Sequence, residues 1–142
     1  AFSLSGASAL EAGLVRACDI DLENQLVQFH GENQRTATLT QWACGRVELF
    51  LNENQRESDQ RLAVADFVSY ENVARTVNSR LMNVMRMAGF RSGSGVTAKS
   101  IRLGAADVVL ELNGLEAAAV FLGNNSLDAT ARMLGYEWWA TK

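Results

Sequence analysis

The sequence predicts an α+β fold, mostly helical, on three observations. Ser69 to Gly89 carries apolar residues at helical spacing along its whole length. Patterns of the form Ser/Thr-x-x-Glu/Gln, which mark helix starts, precede other apolar runs. Val96 to Leu112 instead alternates, which is the period of a strand. The expected order is three N-terminal helices over about 8–30, 39–53 and 70–88, then a β-hairpin over about 96–112 and short C-terminal helices. A length of 142 residues and an apolar share of 48 % suit one globular domain over 1–142, and the Gly/Ser loop 90–95 is where it would subdivide. There is no proline to interrupt a helix.

The first helix starts at the capping box Ser8-Ala-Leu-Glu11. Leu10, Leu14, Cys18, Leu22, Leu26 and Phe29 follow at near-helical spacing. Gly13, Asp19 and Asp21 weaken it, and Asp19 is where it would break. His30 to Asn33 reads as a stop and turn. Thr38-Leu-Thr-Gln41 is a second capping box, with Leu39, Trp42, Ala43, Val47, Phe50 and Leu51 as the stripe behind it. A rival reading competes here. Thr36, Thr38 and Thr40 alternate with Ala37 and Leu39, so residues 25–31 and 36–42 would pair as a hairpin around Glu32-Asn33. The helical period from Trp42 to Leu51 favours the helix. Asn52 to Arg61 is the most polar stretch and reads as solvated, and Leu62, Ala65 and Val68 form a short stripe of either type.

In the central helix Ser69 serves as N-cap and Glu71 sits at the positive end of the dipole. Val73, Val77, Leu81, Val84, Met85 and Ala88 make the apolar stripe, Arg75, Asn78, Asn83 and Arg86 the other face, and Gly89 the stop. Gly104 to Asp107 is the expected turn between the two later strands. Residues 115–122 suit a short helix by propensity, or a third strand. Gly123-Asn124-Asn125 breaks that run, and Asn125 or Ser126 caps a last helix through Leu134, closed by Gly135.

The net charge of −3 is too balanced for bulk charge to indicate a nucleic-acid partner, although 11 of the 13 basic residues are Arg and leave room for a local patch. No apolar run reaches the ~18 residues of a membrane span. The first residues lack the basic region of an intact signal peptide. Cys18 and Cys44 read as reduced, buried thiols in preference to a disulfide. His30 is the only histidine and reads as a turn residue. One His and two separated Cys do not make a zinc set. Asp19, Asp21 and Glu23 resemble the start of a calcium loop but lack its Gly and closing Glu. The loop 91–95 follows a helix, whereas a phosphate loop precedes one. No catalytic, cofactor-binding or metal-ligating residue is therefore assigned, and no cofactor is expected.

What remains points to surfaces. Met82 and Met87 lie off the main stripe, and Trp138 and Trp139 are adjacent, so these four are interface candidates. The expected function is a non-enzymatic structural protein acting by protein–protein interaction, a self-associating homo-oligomer or a subunit of a larger assembly such as a virion or secretion component. The alternative is a small-molecule-binding domain or small enzyme in which Arg86, Arg91 and Arg102 bind an anionic ligand and His30 acts as base.

Overall fold

The computed structural model describes residues 1–31, 33–91 and 93–137. A 3-10 turn, Phe2–Ser5, leads into α1, Ala9–Leu14. A second 3-10 turn, Ala17–Asp19, precedes β1, Ile20–Asp21, β2, Leu26–Phe29, and β3, Arg35–Thr38. Helices α2, Gln41–Asn54, α3, Tyr70–Met87, α4, Ala98–Leu122, and α5, Leu127–Leu134, complete the order. The three strands form one antiparallel sheet in the order β1-β2-β3, with Leu26 opposite Thr38 and Phe29 opposite Arg35. The α+β, mostly helical class holds, with 58 % of the described residues in helix.

The core lies where α1, the sheet, and the first turns of α2 and α3 meet. Val27 and Phe29 point inward from β2, and Leu39, Ala43, Val73 and Val77 close over them. Gly13 sets the spacing. A Cβ on it would lie 2.3 Å from Cγ1 of Val73 and 2.9 Å from Cγ2 of Val77, so only glycine lets α1 approach α3 this closely. The residue that weakens α1 as a helix is the residue that docks it.

Helix α3 runs over nearly the expected span, and Val73, Val77 and Met85 of its stripe are buried. Val84 is not, at 55 % exposed. The Ser69 hydroxyl accepts from Nδ2 of Asn72 rather than from a free backbone amide. Two caps stand as read. Ser8 and Glu11 bond reciprocally in a capping box, and Ser126 caps α5, which Gly135 ends in the left-handed conformation.

Two expected elements are corrected. The helix over about 8–30 stops at Leu14, because Val15 turns extended and Oδ2 of Asp19 accepts from the Arg16 amide at 2.8 Å. The remainder is a 3-10 turn and strands β1 and β2 joined by a turn, and the rival hairpin reading of 25–42 is right through Thr38. The helix then starts at Gln41, with Thr40 as its cap instead of Thr38. The β-hairpin over about 96–112 does not form: that stretch is helix α4. Ala98 and Ala106, two turns apart, face inward, while Val108 and Leu112, one turn apart, face outward at 54 % and 77 % exposure. Their i, i+4 spacing satisfies a helix as well as an alternation.

Helix α4 is not straight. Nη2 of Arg102 donates to the Leu122 carbonyl at 2.5 Å, although in a straight helix these residues would stand about 30 Å apart. The chain folds back at Gly114, whose φ of 84° and ψ of 177° belong to a region open essentially to glycine alone. Residues 98–113 and 115–122 are therefore two helical arms on one pivot.

Gly13→Ala should lower stability by about 1–3 kcal/mol through overpacking. Gly45→Ala, in α2 with open space where the methyl would go, should raise it by about 0.5–1 kcal/mol. Urea midpoints of the two variants test this opposition of sign. A second expectation concerns acid. The side chain and then the backbone amide of Asn24 hold the Asp21 carboxyl below its ordinary range. A lowered folded value stabilises above the unfolded pKa of about 3.9, and the benefit disappears as pH falls through the folded value. Asp21→Asn should flatten the acid limb of the urea-midpoint profile below about pH 4.

Candidate functional site

The carbonyl oxygen of Gly6 accepts from two guanidinium groups. Nη2 of Arg35 donates at 3.0 Å and Nε of Arg102 at 2.7 Å. Gly6 has a φ of 82°, and a Cβ there would lie 2.1 Å from the Phe121 carbonyl oxygen, so glycine is required on both counts. Arg35 also pairs with Glu11 at 3.2 Å and lies 4.7 Å over the Phe29 ring. Glu11 accepts in turn from the Ser8 amide at 2.7 Å. Burial pushes both guanidinium groups down from their ordinary value. The Glu11 carboxylate pulls both back up, and at Arg102 the neighbouring Arg35 adds a further lowering. Two partly buried cations stand beside one buried anion, so the site carries a surplus positive charge.

Asn33 extends this cluster to the far end of the chain. Its Nδ2 donates to the Gly123 carbonyl at 2.8 Å, and its Oδ1 accepts from Asn125 at 3.0 Å. The β2–β3 connection is thereby stitched to the α4–α5 turn.

In front of the cluster runs a groove made of three successive depressions. The first, of about 240 Å³, holds Ser8, Asn33, Arg102 and Asn124. The second, of about 200 Å³, shares Ser8 and Arg102 and adds Lys99 and Asn78. The third, of about 660 Å³, shares Asn78 and adds Arg75, Met82, Asn83 and Arg86. Four basic side chains line it, Arg75, Arg86, Lys99 and Arg102, against the acidic pair Glu11 and Glu71. Arg75 and Arg86 are both exposed and each donates to an asparagine one turn earlier, at 2.6 Å to Asn72 and 3.1 Å to Asn83. Eleven residues apart, they stand on one face of α3 with about 16 Å between them. Arg102 spends two N–H groups on Gly6 and Leu122, which leaves three for a ligand.

The anion-binding candidates fall as follows. Arg86 and Arg102 line neighbouring parts of the groove, and Arg91 lies exposed in the loop after α3 and lines none of them. Of the interface candidates, Met82 lines the groove and Met87 is 82 % exposed, while Trp138 and Trp139 lie outside the described residues. Cys18 and Cys44 are free thiols but not buried as expected, Cys18 being exposed and Cys44 half-buried, and His30 pairs with Asp19 at 2.7 Å away from the groove. Among the described residues no three His, Cys, Asp or Glu side chains gather as a metal set. Among the described residues no helix is long and apolar enough to cross a membrane. Sequence reasoning missed Arg35, Glu11, Arg75 and Lys99 as site residues. The i, i+3 pair Lys99 and Arg102, and the Arg75 to Arg86 spacing of three turns, were the available signals.

No family model and no curated protein matches the sequence. Solved structures do match. The chain is similar to XerA recombinase at 19 % identity and a TM-score of 0.73, over 96 % of this chain and 51 % of that one. It is also similar to the integrase of the Tn1549 transposon, solved in complex with a circular intermediate DNA, at 10 % identity and a TM-score of 0.62, over 92 % and 51 %. The chain thus spans about half the length of each, and the shared feature at these identities is the fold. This likeness overturns the expected non-enzymatic assembly protein, together with the homo-oligomer and virion or secretion readings. It also overturns the expectation that nucleic acid is not indicated as a partner. Net charge is a sum over the chain, and it hid a groove whose local sign is the opposite.

Arg102→Ala removes the donor that caps the C-terminal carbonyl of α4 and should cost about 1–3 kcal/mol. Arg102→Lys should recover little, because an ammonium does not reproduce the fork that spans two carbonyls. Urea midpoints at unchanged slope provide the measurement.

Proposed function

We propose that this chain is a nucleic-acid-binding unit of the recombinase and integrase type, holding the phosphate backbone of DNA along the groove from Arg86 to Asn124. The supporting observation is the groove itself: a basic, amide-rich channel on an acidic chain, in a fold shared with a recombinase and with an integrase solved on DNA. The chemistry suits that ligand. Arg forks and Asn amides donate to phosphate oxygens, and surface arginines spaced along a helix follow a strand without reading its bases. The buried Arg35–Glu11–Arg102 cluster fixes the groove floor and adds positive potential behind it.

Fluorescence anisotropy with a labelled duplex tests the reading. Affinity should fall steeply with salt, and Arg75→Ala with Arg86→Ala should reduce the slope of log K against log salt by about 2. Both side chains are exposed, so the double variant should keep the parental circular dichroism and melting point within a few degrees. An anisotropy that stays flat at about 50 mM salt would overturn the assignment.

A further inference from the structure

A second cationic depression lies at the other end of α1 from Ser8. It has a volume of about 340 Å³ and is lined by Leu14, Arg16, Asp19, His30 and Arg61. Arg16 and Arg61 face each other across an isolated antiparallel bridge. Residues directly opposed in this way project their side chains to the same side, and like charges so placed repel. Among the described residues no carboxylate lies within ion-pair distance of either guanidinium. Asp19 is committed elsewhere, accepting from His30 at 2.7 Å and from the Arg16 backbone amide at 2.8 Å. Asp66 accepts from the Arg61 amide at 3.1 Å, through the backbone.

We propose that Arg16 and Arg61, with His30 at the rim, form a binding site for a phosphate group. The like-charge pair is the reason: two guanidinium groups held side by side gain from an oxyanion between them what they lose from each other. The geometry supplies the rest. Nη1 of Arg61 donates to the Val68 carbonyl at 3.0 Å, which anchors that side chain and leaves four N–H groups for a ligand. Arg16 is exposed, and its guanidinium makes no hydrogen bond among the described residues. A carboxylate only accepts, so Nε2 of His30 carries the proton of the Asp19 bond and the ring is fixed in orientation at the rim. Leu14 provides an apolar wall. Two arginines against one aspartate give the site a surplus of one positive charge. The phosphate belongs either to a small molecule or to a nucleic-acid backbone. The site shares no lining residue with the groove, so it stands or falls independently of that reading.

His30 is the only histidine in the chain, so its imidazole carbon–proton resonance reports on the site without ambiguity. Inorganic phosphate titrated at constant pH and ionic strength should move that resonance to saturation, and chloride should not. Arg16→Ala, which removes no internal contact, should raise the midpoint about tenfold, and Arg16→Lys should restore part of the loss. A duplex of about 20 base pairs that moves the same resonance, with the effect lost in Arg16→Ala, assigns the phosphate to a nucleic-acid backbone. A response to inorganic phosphate alone assigns it to a small molecule. Equal shifts with chloride, or a midpoint unchanged in Arg16→Ala, overturn the proposal whether or not the groove binds DNA.

Discussion

One backbone oxygen organises the functional half of this protein. The Gly6 carbonyl receives Arg35 from the sheet and Arg102 from α4, and Arg102 reaches on to the Leu122 carbonyl. Three distant stretches of chain are thereby fixed around a single acceptor. Buried cations are costly unless hydrogen-bonded and neutralised. Here carbonyl dipoles and Glu11 offset part of that cost, Nε and Nη1 of Arg35 stay buried without a partner, and the surplus charge adds positive potential at the groove. Structural support and positive potential at the groove come from the same two side chains.

The same arrangement explains how an acidic chain can present a basic channel. The acids that lie near it are engaged or outnumbered. Glu11 is tied to Arg35 and to the Ser8 amide, and Glu71 stands alone beside Arg75 and Arg86. Among the described residues the other carboxylates contribute to the net charge without lining the channel. At physiological salt the screening length is about 8 Å, so a ligand in the groove responds to the groove and hardly to the far surface.

Local chemistry was legible in the sequence, and long-range partnership was not. Ser8, Ser126 and Gly135 act within a turn of their own position, and their roles follow from residue type and spacing. Gly13 looks like a flaw in α1 until Val73 and Val77 are beside it, sixty residues on in the chain. The stretch 96–112 is ambiguous because apolar residues at every second position, such as Val108, Leu110 and Leu112, also fall at i, i+4, and the burial of Ala98 and Ala106 decides between the two only once the fold exists. Arg102 stands out as one arginine among eleven, but nothing nearby reveals that its partner is the backbone of residue 6.

Those separations bear on how the molecule comes into being. Arg102 meets Gly6 across 96 positions, and Asn33 meets Gly123 across 90. During synthesis the α1–α3 contact can close early, since its residues leave the ribosome well before α4. The channel has to wait until the α4–α5 turn has emerged, because its floor and one wall come from stretches that lie 90 to 96 positions apart. Contacts of such high sequence separation carry the largest loop-closure cost and form late. A nascent chain therefore passes through a stage in which its centre is packed and its cationic face is still unassembled.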